Sequence, residues 1–311
     1  MRALRFLFSV FLFFIFTGIL RAQLTEGERA AVYIERGFEI TPNITYFTGN
    51  NYEAKLDVYR PKEAKSPTPV VMLIHGGGWV AGEKQHNPLE GLPYMEMGFA
   101  VVNVEYRLAK VSLAPAAVED CLCALRWIGR NAQQYNLDLS KIITSGGSAG
   151  GHLALTTGMI PSSSGLDAEC AFHEEWTGPK AEPLPKVAAI INWSGITDVA
   201  DMLQGPNMRA YAVSWLGSLP NREEIAREVS PLTYVRAGLP PILTIHGDAD
   251  PVVPYSDAVR LHEALDKAGV RNQLLTIPGG GHGGFPADQQ MKAYETIKAF
   301  LASLGITRVN K

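Results

Sequence analysis

Six short, largely apolar runs recur along the chain, at residues 70–74, 99–104, 141–144, 187–192, 242–245 and 273–277. Apolar residues at successive rather than alternate positions are what a strand buried on both faces of a parallel sheet requires. Between the runs lie stretches of helical period. The clearest is 116–132, where Val118, Leu122, Leu125, Trp127 and Ile128 recur at helical spacing, and 257–267 and 290–304 are two more. Strands alternating with helices specify a doubly wound parallel sheet. Ahead of them, residues 44–47 and 54–59 flank the turn Gly49-Asn50-Asn51, and Leu56 and Val58 alternate with Lys55 and Asp57, the pattern of an antiparallel hairpin. The expected fold is therefore α/β, with a mostly parallel central sheet flanked by helices and an antiparallel hairpin at its N-terminal side. Two stretches, 161–185 and 198–231, fit neither pattern. Both follow strands on the side where open α/β sheets bind ligands, so they are expected to form loops or a small lid, not a second domain.

The first residues read as an address. Arg2 and Arg5 precede an uncharged apolar run, 6–20, and Ala22 offers a small residue for cleavage before Gln23. The run is short for a membrane span, which needs about 20 apolar residues. Residues 1–22 are thus expected to be a signal peptide, with an uncleaved anchor as the alternative. The expectation that follows is a secreted or periplasmic protein, not stably held at a membrane after cleavage, with residues 23–311 as a single domain.

With 28 Lys and Arg against 31 Asp and Glu, all dispersed, the chain has no basic face with which to bind nucleic acid. Cys121 and Cys123 stand two apart in a helical stretch and do not face one another. At most one bridge, to Cys170, could form; free buried thiols are the expectation. No second Cys or His pair has ligand spacing, so a metal site is not expected.

Chemistry concentrates in three motifs. Gly146-Gly147-Ser148-Ala149-Gly150 is a G-x-S-x-G placed directly after the run 141–144 and before helical residues 152–159. That is the context of a nucleophile elbow, where the turn is too tight for side chains at the flanking glycines. His75-Gly76-Gly77-Gly78-Trp79 ends the run 70–74, and its consecutive glycines let backbone N–H groups approach a developing oxyanion. In an elbow these donors pair with the N–H of the residue after the nucleophile, here Ala149.

A serine hydroxyl also needs a base, oriented by an acid. Of the seven histidines, His282 lies in a glycine-rich loop after the last strand, whereas His75 and His246 end strands, His152 sits in the helix after the serine, and His86, His173 and His262 lack context. Asp248 and Asp250 both follow the run 242–245; Asp250 is favoured as the acid, with Asp248 as a turn-former. Serine, aspartate and histidine then occur in the chain order of α/β hydrolases.

These residues, His75 to Trp79 with Gly82 and Lys84, Gly146 to His152 and His246 to Pro254, resemble the α/β-hydrolase esterases related to hormone-sensitive lipase. They are more similar still to bacterial polysaccharide-associated feruloyl and acetyl-xylan esterases, whose strand-end segment Asn192 to Asp198 also resembles. Gly147 stands where the lipase relatives carry an acidic residue, and the segment before the first strand is shorter than their cap. The resemblance implies Ser148 as nucleophile, His282 as general acid/base, Asp250 as its orienter, and the N–H groups of Gly77, Gly78 and Ala149 as the oxyanion hole. It also implies a secreted carboxylesterase acting without a cofactor on acetyl or hydroxycinnamoyl esters of plant or algal polysaccharide. Trp79, Trp193, Trp215 and Val252 are candidates for an apolar acyl or aromatic pocket, with core packing as their other role. The rival readings are a formamidase-like amidase, a general short-chain esterase, and a binding protein on an inactive scaffold, against which the complete set of motifs argues.

Overall fold

The computed structural model describes residues 26–49, 51–85, 88–171 and 184–307. The expected signal segment 1–22, His86, His173 and much of the stretch 161–185 lie outside the described residues. The chain divides into two units, 1–37 and 38–311. The first contributes helix α1 (Glu26–Gly37), and the second contains the sheet.

Eight strands form that sheet: β1 (Phe38–Gly49), β2 (Tyr52–Pro61), β3 (Thr68–Ile74), β4 (Ala100–Val104), β5 (Leu137–Gly147), β6 (Val187–Trp193), β7 (Ile242–Gly247) and β8 (Asn272–Ile277). Their spatial order is β1-β2-β4-β3-β5-β6-β7-β8. The hairpin β1–β2 is antiparallel, as is β2 against β4; every pairing from β4 through β8 is parallel. Each of the six apolar runs lies in one of these parallel strands. β4 and β7 are buried at every position. Burying one such Val, Ile or Leu side chain contributes about 1.5–3 kcal/mol, which holds β4 and β7 inside the sheet; β8, with the run 273–277, is the edge strand and mostly half-buried, so it departs from the expectation of burial on both faces.

Helices flank the sheet: α2 (Leu92–Glu96), α3 (Ala116–Tyr135), α4 (Ala149–Met159), α5 (Ala210–Leu216), α6 (Arg222–Glu228), α7 (Tyr255–Lys267) and α8 (Ala287–Ser303). α4 packs on β3, β5 and β6, while α7 and α8 pack on β7 and β8. No helix among the described residues is long and apolar enough to cross a membrane.

The stretch 198–231 holds α5, α6 and short turns, and it is anchored rather than loose. Trp215 and Leu216 are fully buried in the main core. Lys84, also buried, pairs with Asp57 at 2.8 Å and donates to Asn43 at 2.9 Å, tying the loop after β3 to the hairpin. Removing one partner of such a buried pair strands the other charge, at about 3–5 kcal/mol.

The cysteines depart from expectation. Cys123 and Cys170 are disulfide-bonded across a separation of 47 residues, with Cα atoms 5.3 Å apart, and only Cys121 is a free, buried thiol. Two positions along a helix is a rotation of about 200°. Cys121 therefore joins the main core while Cys123 faces Phe47 and Ala54, where the turn carrying Cys170 packs. Sequence spacing separated the two thiols correctly but gave no means of placing Cys170 beside one of them.

Candidate active site

The C-terminal ends of β3, β5 and β6, with the loop after β8, converge on one cavity of about 270 Å³. Ser148 sits between β5 and α4 with φ 58° and ψ −122°. A non-glycine residue held there costs about 1–3 kcal/mol, which its neighbours must offset. They do so in two ways. The Ser148 N–H donates to the Trp193 carbonyl at 2.8 Å, and its own carbonyl accepts from His152 N–H at 3.0 Å. A methyl group on Gly146 would lie 2.5 Å from the carbonyl oxygens of Ile74 and Gly150, and one on Gly150 only 2.1 Å from that of Ile74. The glycines flanking the serine are therefore there because β3 runs against the turn.

The glycine loop following β3 is wound tightly in the left-handed region, with φ of 115° at Gly77, 60° at Gly78 and 60° at Trp79. Its Gly76 approaches the elbow so closely that a β-carbon would meet the Gly147 carbonyl oxygen at 2.9 Å. A β-carbon on Gly77 would lie 2.0 Å from the Ala81 oxygen, and one on Gly78 2.9 Å from Cβ of Tyr211. Among the described residues, no backbone carbonyl takes the N–H of Gly77 or Gly78.

Asp250 follows β7, its side chain fully buried. Oδ1 accepts from the N–H groups of Val252 at 2.8 Å and Val253 at 3.0 Å. Oδ2 receives Nδ1–H of His282 at 2.7 Å and lies 3.2 Å from Nε2 of His246. Burial pushes this carboxyl up, but the donors from His246, His282, Val253 and Val252 outweigh it and hold Asp250 well below the usual carboxylate range. It is therefore ionised at neutral pH. Asp248 does something different: its Oδ1 accepts the Gly279 N–H at 2.6 Å, and its own N–H donates to the Ile277 carbonyl. That brace clamps the loop carrying His282 against the loop carrying Asp250. His282 and Ser148 line the same cavity.

The four candidate pocket residues separate. Trp79 and Trp215 are fully buried and stack on each other, ring centroids 4.1 Å apart, so both belong to the core and neither lines the cavity. Val252 packs partly buried against that core, and its carbonyl accepts from Arg209 at 2.8 Å and Tyr211 at 3.3 Å. Trp193 does line the cavity, edge-on to Tyr294 at 5.9 Å. The remaining walls were not anticipated: Leu73, Glu90, Tyr94, Phe285, Gln290 and Tyr294. Gln290 and Tyr294 are four apart on α8, hence on one helix face, and that spacing could have found them. Glu90 lies in a single short turn and Tyr94 in the five-residue helix α2, both too short to give a periodic signal.

His152 connects the two motifs. Its Nδ1 accepts the Trp79 indole N–H at 3.2 Å, and its Nε2–H donates to the Val229 carbonyl at 2.7 Å, which fixes the neutral tautomer. Burial lowers its pKa to about 3, against a smaller opposing effect of the Val229 carbonyl. The unfolded chain takes up a proton below pH 6.5 that the folded chain refuses until about pH 3, so this histidine destabilises the fold progressively as pH falls. The expected contribution between pH 7 and pH 5 is about 2 kcal/mol. Asp257, raised by burial to about 6, works in the opposite direction. The His152 effect is therefore read as a difference: urea unfolding of the wild type should lose about 2 kcal/mol more on acidification than that of His152→Gln. Equal losses would mean that His152 titrates normally in the folded state.

The sequence from 56 to 265 matches the BD-FAE family model, a span that includes Ser148 and Asp250 but not His282. Among curated proteins, esterase LipC of Mycobacterium tuberculosis is 29% identical over 245 residues, covering 76% of this chain and 58% of its own length. Carboxylesterase NlhH of the same organism is 29% identical over 231 residues, 73% of this chain and 69% of its own. Among solved structures, a truncated carbohydrate esterase from gut microbiota superposes with a TM-score of 0.72 at 28% identity, covering 86% of this chain and 96% of that one. The propionate-bound esterase Est2 of Thermogutta terrifontis gives 0.71 at 27%, covering 89% and 97%. The sheet order and elbow described above are thus those of an α/β-hydrolase, and this chain belongs to the BD-FAE family.

Proposed function

We propose that this chain is a secreted serine carboxylesterase that cleaves acyl esters of plant or algal polysaccharide through a Ser148–His282–Asp250 triad. The observation that carries the reading is the strained Ser148 facing a cavity it shares with His282, whose other ring nitrogen is held by an ionised, buried Asp250. With Nδ1 protonated and donating to Asp250, Nε2 of His282 is free to accept the Ser148 proton. The hydroxyl oxygen then attacks the ester carbonyl, and the oxyanion is met by N–H groups of Gly77, Gly78 and Ala149. His282 returns its proton to the departing alcohol, leaving an acyl-serine. Water, deprotonated by the same imidazole, attacks the acyl carbon and releases the acid.

Support for export comes from the N-terminal apolar run and from the Cys123–Cys170 disulfide, a bond that persists in oxidising compartments. Support for a polysaccharide-borne ester comes from the likeness to a carbohydrate esterase and from the family resemblance.

A fluorophosphonate probe on the purified protein tests the chemistry directly. The expected product is a single adduct on Ser148, located by peptide mass spectrometry, together with turnover of methyl ferulate or acetylated xylan. No adduct, or an adduct elsewhere, would remove the nucleophile assignment; labelling without activity on either ester would remove the polysaccharide substrate and leave the hydrolase.

A further inference from the structure

The cavity beside Ser148 has an unusual chemical balance. Its walls are aromatic, with Trp193, Tyr94, Phe285 and Tyr294, and among the lining residues there is no lysine or arginine. Tyr94 is buried, and its hydroxyl is already engaged with Ser145 Oγ at 2.8 Å. Burial raises the phenols of Tyr94 and Tyr294, so both are neutral. Glu90 brings the one carboxylate, and it has no hydrogen-bond or ion-pair partner among the described residues. Glu90 is exposed, which places it at the cavity mouth, and the protein around its carboxyl raises its pKa to about 7. Water solvates its carboxylate there, and a substrate group entering the cavity meets it as the one charged side chain among the lining residues. The mechanism above makes no use of it.

We infer that Glu90 is the specificity-determining residue of this cavity, accepting a hydroxyl carried by the aromatic or sugar-like group of the ester and rejecting groups that carry negative charge. A hydroxyl satisfies the carboxylate and fits the neutral aromatic walls. Above pH 7, where Glu90 is ionised, a carboxylate on the substrate meets a like charge with no cation among the lining residues to relieve it, so the esters are compared at pH 8 to 9. A site built to hydrogen-bond a hydroxyl rejects the analogue lacking it more strongly than an apolar wall distinguishes two apolar groups. The inference rests on the ester-hydrolase reading, and its test separates the two.

Two series of esters make that test, each with hydrogen, hydroxyl or carboxylate at the para position of the ring. In methyl cinnamates the substituent rides on the acyl group, and in benzyl acetates it rides on the alcohol. The expected result is that, in one series, the wild type favours hydroxyl over hydrogen in kcat/KM by 10-fold or more. Glu90→Leu should lower that ratio at least 10-fold, and Glu90→Gln should raise the carboxylate-to-hydroxyl ratio at least 10-fold. The responding series identifies whether the cavity takes the acyl or the alcohol group. Ratios unchanged in both series, with the wild type active, would overturn the role of Glu90 alone. A wild type inactive on every ester and unlabelled by fluorophosphonate would instead overturn the hydrolase reading.

Discussion

A Ser148→Ala variant is expected to fold normally and to lose roughly 10⁴- to 10⁶-fold in kcat for p-nitrophenyl acetate. The size follows from what remains. Alanine removes the only oxygen proposed to form the acyl-enzyme, so His282 is left to activate water, aided by the oxyanion donors and the cavity. In triad enzymes that residue of machinery still exceeds the uncatalysed rate by about 10³–10⁴. The fold should be indifferent because alanine keeps the β-carbon, so the strain at φ 58° is unchanged, and the hydroxyl makes no capping bond to α4. A stability change under about 1 kcal/mol is expected, as for a site with no lost partner. Burst kinetics with stopped-flow detection check the chemistry: the wild type should show an acyl-enzyme burst and the variant none. Activity within tenfold of wild type, in a preparation free of it, would put the nucleophile elsewhere.

The motifs were legible because each reports a backbone constraint that composition alone cannot disguise. Gly146 and Gly150 are glycine because carbonyls of the neighbouring strand leave no room, and Gly77 because the Ala81 carbonyl does the same. Strand identities were legible for a related reason: the residues of β4 are buried at every position, as the interior of a parallel sheet asks of consecutive residues. Side-chain direction was not legible. Trp79 closes the glycine motif after β3 and Trp193 ends β6, yet Trp79, held at φ 60°, turns inward to stack on Trp215 while Trp193 faces the cavity. Glu90 was not legible because it carries no periodic signal and has no partner among the described residues for a sequence pattern to record. The Cys123–Cys170 bond joins a helix to a turn 47 residues away, a juxtaposition that no local rule supplies.

An Asp250→Asn substitution is expected to lower kcat by about 10⁴, the cost of presenting the wrong histidine tautomer. The geometry leaves asparagine no satisfactory orientation. All four neighbours of the carboxylate can act as donors: two backbone N–H groups on Oδ1, and His246 and His282 on Oδ2. The amide has one acceptor oxygen. Turned towards Val252 and Val253, it offers its NH₂ to His282, which must then deprotonate Nδ1 and carry its proton on Nε2, where the Ser148 proton should go. Turned the other way, the NH₂ faces two backbone N–H groups and leaves both unsatisfied in a buried site, at about 1–3 kcal/mol each. The first arrangement is the cheaper, so the loss should fall on catalysis more than on stability. The pH profile distinguishes this from general damage. Because Asp250 titrates below the usual carboxylate range, its stabilising contribution is fully present above its ordinary pKa of 3.8 and fades only as pH falls further. Wild-type activity should therefore show no acid-side loss from Asp250 until pH falls well below the ordinary carboxylate range. In Asp250→Asn, activity should recover at high pH as hydroxide replaces the missing base, while thermal unfolding at pH 7 moves to lower temperature because the variant lacks the stabilising contribution of the ionised carboxylate. A variant retaining more than a tenth of wild-type kcat would return the role of acid to another residue, with Asp248 next in reach on the same loop.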